Sequence, residues 1–191
     1  MKTTTPFSDH PWLLPIGSFL FLTLWILLTA PTSAQTQGSP EDTSANPARG
    51  ILTSRDQAFL EKAGLDGMAQ WKLSQLAAER ATRLEVRALA QRIAQDHETI
   101  LGEMKGLAEQ KGTIFPAKLD EERQRLLDIT AKIQGPEFDR AYLMALRLDH
   151  QRDQEEYKNV LFTTQNSDLR GIITRAAALR QAHIALLKKI S

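Results

Sequence analysis

Three histidines, His97, His150 and His183, each stand where an apolar side chain is expected. His97 follows Ile93 by four residues and precedes Leu101 by four. His150 follows Leu146 by four and precedes Tyr157 by seven, and His183 lies four from both Leu179 and Leu187. Residues four apart share one face of a helix, so all three imidazoles point with the apolar stripes, toward a core. Gln70 takes a similar place among Ala63, Gly67, Leu73 and Ala77, and Asp153 sits one turn after His150 on the same side.

Two chemistries use imidazoles placed this way. Neutral imidazoles with a carboxylate suit zinc, iron, manganese or copper, which makes His97, His150, Asp153 and His183 candidate ligands of a transition metal. The alternative is a buried hydrogen-bonded layer of Gln70, His97, Tyr142, His150, Tyr157 and His183, in which each ring supplies one donor and one acceptor. The di-iron carboxylate pattern is absent, because the positions three before the histidines hold Ala94, Arg147 and Arg180 rather than Glu. Asp96 and Asp149, each just before a histidine, point about 100° away from it, toward neighbouring rings or arginines. Nothing resembles a Gly-rich phosphate loop, a G-x-S-x-G elbow or an H-E-x-x-H motif, so no catalytic residue is nominated and an enzyme is the less favoured reading.

Helices must carry these residues. The apolar period is helical from Ser54 onward, with no strand-like alternation. It predicts long helices over residues 55–81, 83–111, 136–165 and 168–190, and a short one over 119–133. Capping boxes are expected at Ser54/Gln57 and Thr82/Glu85. Gly112 is expected to end the second helix, and Gly64 and Gly67 to loosen the first. The predicted fold is all-α: a ferritin-like up-down four-helix bundle, with a longer crossover carrying the short helix between helices 2 and 3. Counted from the tight turns, Gln70, His97, His150 and His183 lie at similar heights, so one polar group from each long helix should meet near mid-bundle.

The rest of the chain supplies an address. Between Lys2 and Glu41 the only charged residue is Asp9, and residues 16–30 read IGSFLFLTLWILLTA. Followed by Pro31-Thr32-Ser33-Ala34, this has the layout of a signal peptide over residues 1–34. The other reading is an uncleaved anchor in the inner membrane through residues 12–30. Residues 35–53, polar and rich in Ser, Thr, Pro and Gly, read as a flexible linker, and residues 54–191 as the bundle domain. Either reading puts the domain in the periplasm or cell envelope. Among 191 residues there is no cysteine, which excludes disulfides, thiolate metal sites and lipoprotein anchoring. A net charge of +1 gives no pull toward nucleic acid.

Several segments together resemble a known family. They are Asp56-Gln57-Ala58-Phe59-Leu60, then Val86 through Ala94-Gln95-Asp96-His97, and Phe115-Pro116. Gly135 through Phe138-Asp139-Arg140-Ala141-Tyr142, Asp149-His150-Gln151 and His183 complete the set. The sequence is similar to the bacterial domain-of-unknown-function family four-one-four-two, often labelled "putative outer membrane protein", over nearly all of residues 54–190. The resemblance implies a secreted ferritin-like bundle and no established activity. The family tends to have Glu where Gln70 stands and Pro near Ala178, so one carboxylate is missing from any metal site here. The barrel suggested by the label has no alternating strands to build it.

The leading expectation is therefore an exported, non-enzymatic bundle acting by binding or interaction with an unknown envelope partner. A His-rich metal-binding or oxidase-like ferritin relative is the first alternative. A pH or stress sensor, opened below about pH 6 by protonation of buried histidines, is the second.

Overall fold

The computed structural model describes residues 50–190. The expected leader, anchor and most of the linker lie outside the described residues. Among the described residues no helix is long and apolar enough to cross a membrane.

Five helices follow one another: α1 (Ser54–Arg80), α2 (Leu84–Gln110), α3 (Glu121–Ala131), α4 (Gly135–Thr163) and α5 (Ser167–Ile190). The four long ones form a closed ring in which α1 packs on α2, α2 on α5, α5 on α4 and α4 on α1. Tight turns join α1 to α2 and α4 to α5. The crossover from α2 to α4 returns along the bundle and lays α3 against α1 and α4. No residue of α3 is fully buried, so this helix covers the bundle rather than forming part of its core.

The core has two apolar clusters. One gathers Leu60, Ile100, Met104, Val160, Leu169 and Ile173, among others. The other gathers Ala77, Val86, Ile93, Phe138, Tyr142 and Leu146. His97 lies in sequence between Ile93 and Ile100, His150 between Leu146 and Tyr157, and His183 between Ala176 and Leu187. Each pair brackets the two clusters, so the histidines form a polar layer between two dry halves.

The helix ends depart from expectation. The first capping box forms one residue earlier: Asp56 N–H donates to Thr53 Oγ1, and Thr53 N–H to Asp56 Oδ2. No side chain caps α2 at its own N-cap. Instead, buried Asp139 on α4 accepts from Thr82 N–H at 2.8 Å, Arg83 N–H at 3.0 Å and the Thr82 hydroxyl at 2.9 Å. Gly112 ends α2 at φ +64°, as its freedom from a Cβ allows.

Gly64 and Gly67 are close-approach residues rather than weak points. A Cβ at Gly64 would stand 2.8 Å from Phe115 and Pro116, and one at Gly67 would stand 3.0 Å from Leu101. The expected linker also ends earlier than residue 53. Leu52 is buried in the first cluster, and the Gly50 carbonyl accepts from Asn166 Nδ2 at 3.1 Å.

Candidate functional site

The six residues expected in the polar layer are all buried, but they divide into separate systems. In the first, Gln70 Nε2 donates to Ser74 Oγ at 3.4 Å, and Ser74 Oγ meets Tyr142 OH at 3.1 Å. Neither Gln70 nor Tyr142 bonds to an imidazole among the described residues.

The second system is an imidazole chain. His150 Nε2 faces His183 Nδ1 at 3.1 Å, and His183 Nε2 faces Asp96 Oδ2 at 3.0 Å. The rings are stacked, with centroids 5.2 Å apart for His150 and His183 and 6.2 Å for His97 and His183. The tautomers follow from the acid. Asp96 as a carboxylate only accepts, so His183 carries its proton on Nε2 and offers a lone pair at Nδ1. His150 then donates from Nε2, and its Nδ1 is left bare. That nitrogen is buried without a hydrogen-bond partner, as is Asp149 Oδ2 4.0 Å away.

His97 has no hydrogen bond among the described residues. It lines a cavity of about 20 Å³, with Asp96, Met104, Arg180 and His183. That is room for one water-sized occupant.

The third system centres on Arg180. Its Nη2 pairs with Asp153 Oδ2 and its Nη1 donates to Tyr157 OH, while the guanidinium carbon stands 4.3 Å from the Tyr157 ring. One of the four expected ligands, Asp153, therefore shares its carboxylate with a cation of the chain itself. Asp153 is held by a buried guanidinium, which supplies the positive charge a metal would have supplied. Its other oxygen, Oδ1, is buried without a hydrogen-bond partner.

Among the described residues, the acidic trio with ligand atoms within 4.8 Å is Asp66, Asp153 and Glu156. That place is also already taken. Lys62 Nζ lies 2.9 Å from Asp66 and 2.7 Å from Glu156, and Arg123 Nη2 lies 2.5 Å from Asp66. Burial pushes the Asp66 carboxyl up, but the bonds from Lys62 and Arg123 outweigh it and hold the group below the usual carboxylate range.

Burial lowers all three imidazoles below their ordinary value. His150 falls to about 3, with Arg180 and His183 adding to the burial. For His183, burial wins over the neighbouring Asp96, which pulls the other way. Acidification below their ordinary value therefore works against the folded layer, because the opened chain takes up the protons that the buried rings resist. Asp149 behaves oppositely. Burial, then the charge of Asp153, raises its carboxyl to about 7 against the pull of Arg180 and Arg152.

Arg180 and Ser74 were not anticipated. Arg180 had a signal, since it follows Ala176 by four and precedes Leu187 by seven on the stripe that carries His183. Ser74 had none, because a serine beside Leu73 reads as an ordinary helix residue.

Among solved structures, the chain is similar to a DUF305 fragment from Deinococcus radiodurans. Identity is 14% and the TM-score 0.64, over 73% of this chain and 97% of that one. It is also similar to CopM in the Cu(I)-bound form, at 22% identity and a TM-score of 0.60, over 70% of this chain and 93% of that one. These likenesses show a shared helical fold. No curated protein matches. The sequence pattern of the family described as "Domain of unknown function (DUF4142)" matches residues 41–190, and the chain belongs to that family.

Proposed function

We propose that this chain is an exported envelope protein that works by binding rather than catalysis, and that its histidine layer holds one copper ion as Cu(I). The observation that carries the reading is the facing pair, His150 Nε2 and His183 Nδ1, 3.1 Å apart on neighbouring helices. Two nitrogens bound to one tetrahedral metal stand roughly 3.4 Å apart, so the pair needs only a small opening to share an ion. Asp96 on the far nitrogen of His183 is the carboxylate partner that ligating histidines commonly have.

Two orphaned atoms fit the same reading. If His150 offers its Nε2 lone pair to a metal, its proton sits on Nδ1, facing the unpartnered Asp149 Oδ2. The low pKa values keep lone pairs available without competition from protons. The missing carboxylate at Gln70 is no obstacle, because Gln70 belongs to the Ser74–Tyr142 system.

The preference for Cu(I) rests on charge and softness. Burying a monocation costs less than burying a dication, especially with Arg180 close by. Imidazole suits copper and a thioether suits Cu(I), and Met104 lines the small cavity with His97 and His183. A bundle of the same fold binds Cu(I), which makes the scaffold a reasonable host. Export rests on the leader-like run at residues 16–30.

The test is metal content and Cu(I) affinity of the exported protein purified without chelator. One copper per chain is expected, lost in His150→Ala and His183→Ala. Asp96→Asn should keep the fold and weaken binding about 10–100-fold. Affinity unchanged in His183→Ala, or no uptake of Cu(I) by the wild-type chain, overturns the reading. Intact mass of the same sample reports whether residues 1–34 have been removed.

A further inference from the structure

We propose that the cavity between α1, α3 and α4 binds an uncharged, largely apolar molecule of two-ring size that carries one hydrogen-bond donor. The cavity has a volume of about 400 Å³. Small-molecule sites span about 300–1,000 Å³. An apolar cavity of about 150 Å³ holds benzene, so this one suits roughly ten to sixteen heavy atoms. No histidine lines it, so the inference does not rest on copper.

The walls are apolar, and their apolar surface continues to the outside. Ala69 and Leu73 of α1 and Ala145 of α4 line the cavity. Leu126 of α3 and Leu148 of α4 line it too, yet each is more than half exposed. Ile129, one turn from Leu126, and Met144, one turn from Leu148, are also more than half exposed. Four large apolar side chains are thus left to water on the two helices that flank one opening. Apolar surface gathered beside a cavity marks a binding site, where a single exposed leucine does not.

Charge decides what the occupant carries. Of the five charged side chains in the lining, four are paired with one another. Arg123 Nη2 donates to Asp66 Oδ1 and Arg152 Nη2 to Asp149 Oδ1, each at 2.5 Å. Glu122, the fifth, is exposed to water. Asp149 Oδ2 is bare but sealed from solvent, so it offers the cavity nothing. A charged occupant would have to break a pair or lie beside a like charge, whereas a neutral one leaves both pairs intact. Gln70 is the most buried lining residue, at 5% exposure. Its amide nitrogen is committed to Ser74, and its carbonyl oxygen accepts no hydrogen bond among the described residues. Unlike Asp149 Oδ2, that oxygen is not sealed off, and it would accept a hydroxyl or N–H of the occupant.

Calorimetric titration of the full chain tests it, with 1-naphthol, 1-naphthalenesulfonate and 1-naphthylmethylammonium as probes that share a ring system and differ in charge. 1-Naphthol is expected to bind at one site per chain, and both charged probes at least about tenfold more weakly. Leu148→Glu, at an exposed position, should keep helicity and melting near wild type and weaken 1-naphthol about tenfold or more. Gln70→Leu should weaken it about three- to tenfold. If Leu148→Glu fails to fold, Leu126→Glu on the same cavity takes its place, with the same expected loss. No saturable binding of 1-naphthol at millimolar concentration would overturn the proposal. So would a charged probe that binds as tightly as 1-naphthol, or 1-naphthol affinity unchanged in both the leucine and the Gln70 variants. A chain that self-associates in sedimentation and becomes monomeric in Leu148→Glu would overturn it as well, since the exposed leucines would then belong to an interface between copies.

Discussion

Asp139 and Asp149 lie on the same helix, both shielded from solvent, and the chain treats them in opposite ways. Asp139 accepts from two backbone N–H groups and a hydroxyl at the α1–α2 turn. Burial raises its pKa, but those bonds outweigh burial and hold it below the usual carboxylate range. Asp149 has one oxygen on exposed Arg152 and the other bare, and its carboxyl is pushed up to about 7. A buried acid whose two oxygens both accept hydrogen bonds holds structure together. One left short beside an imidazole that is also short marks a place where the fold has accepted a cost that a ligand or a proton can relieve.

The sharpest way to break this contrast is to remove each acid in turn. Asp139→Ala strands three donors and should cost about 3 kcal/mol in urea unfolding. Asp149→Asn should be neutral or stabilising at pH 8, where the wild-type carboxylate is ionised against its surroundings. Equal losses in the two variants would erase the distinction.

The pH dependence of stability is the next effect. The three imidazoles have folded-state pKa values below their ordinary 6.5. Their contribution is therefore complete above about pH 6.5 and is lost as pH falls, through about 3 for His150. Asp149, raised from 3.8 to about 7, contributes with the opposite sign: its share is present below 3.8 and lost as pH rises through 7. Between these limits three imidazoles oppose one carboxyl, so stability should fall on acidification from about pH 6.5 to 4. The fall should be steeper in Asp149→Asn, as urea midpoints across that range would show. A flat profile would mean that the imidazoles are not held neutral.

Two smaller effects refine the contrast. Ser74→Ala leaves the Tyr142 hydroxyl buried without its partner and should cost about 1–3 kcal/mol by thermal or urea unfolding. Arg92 is more than half exposed where it meets Asp96, so Arg92→Ala should cost less than about 1 kcal/mol. It should leave the His183 contact intact, as imidazole nitrogen chemical shifts would report.

Most of the fold was legible because the apolar period of each helix is long and regular. The bounds read from it lie within two residues of those observed, from Ser54–Arg80 to Ser167–Ile190. Caps were less legible. Thr82 signalled a local capping box, yet the acceptor for its N–H comes from Asp139, 57 residues away. The burial of His97, His150 and His183 followed from spacing alone, but the division of the layer did not. Spacing fixes which face a residue occupies, not which neighbour its polar atoms reach. Gln70 shares the face and turns to Ser74, and Asp153 turns to Arg180.

The Asp139 pin also bears on the order in which the chain assembles. The α1–α2 hairpin is built from local contacts and can form early, but its turn has no side-chain cap of its own until α4 arrives across the crossover. Thr82 and Arg83 amides should therefore gain slow hydrogen exchange late in refolding, together with the docking of α4 and after the interior amides of the two helices they join.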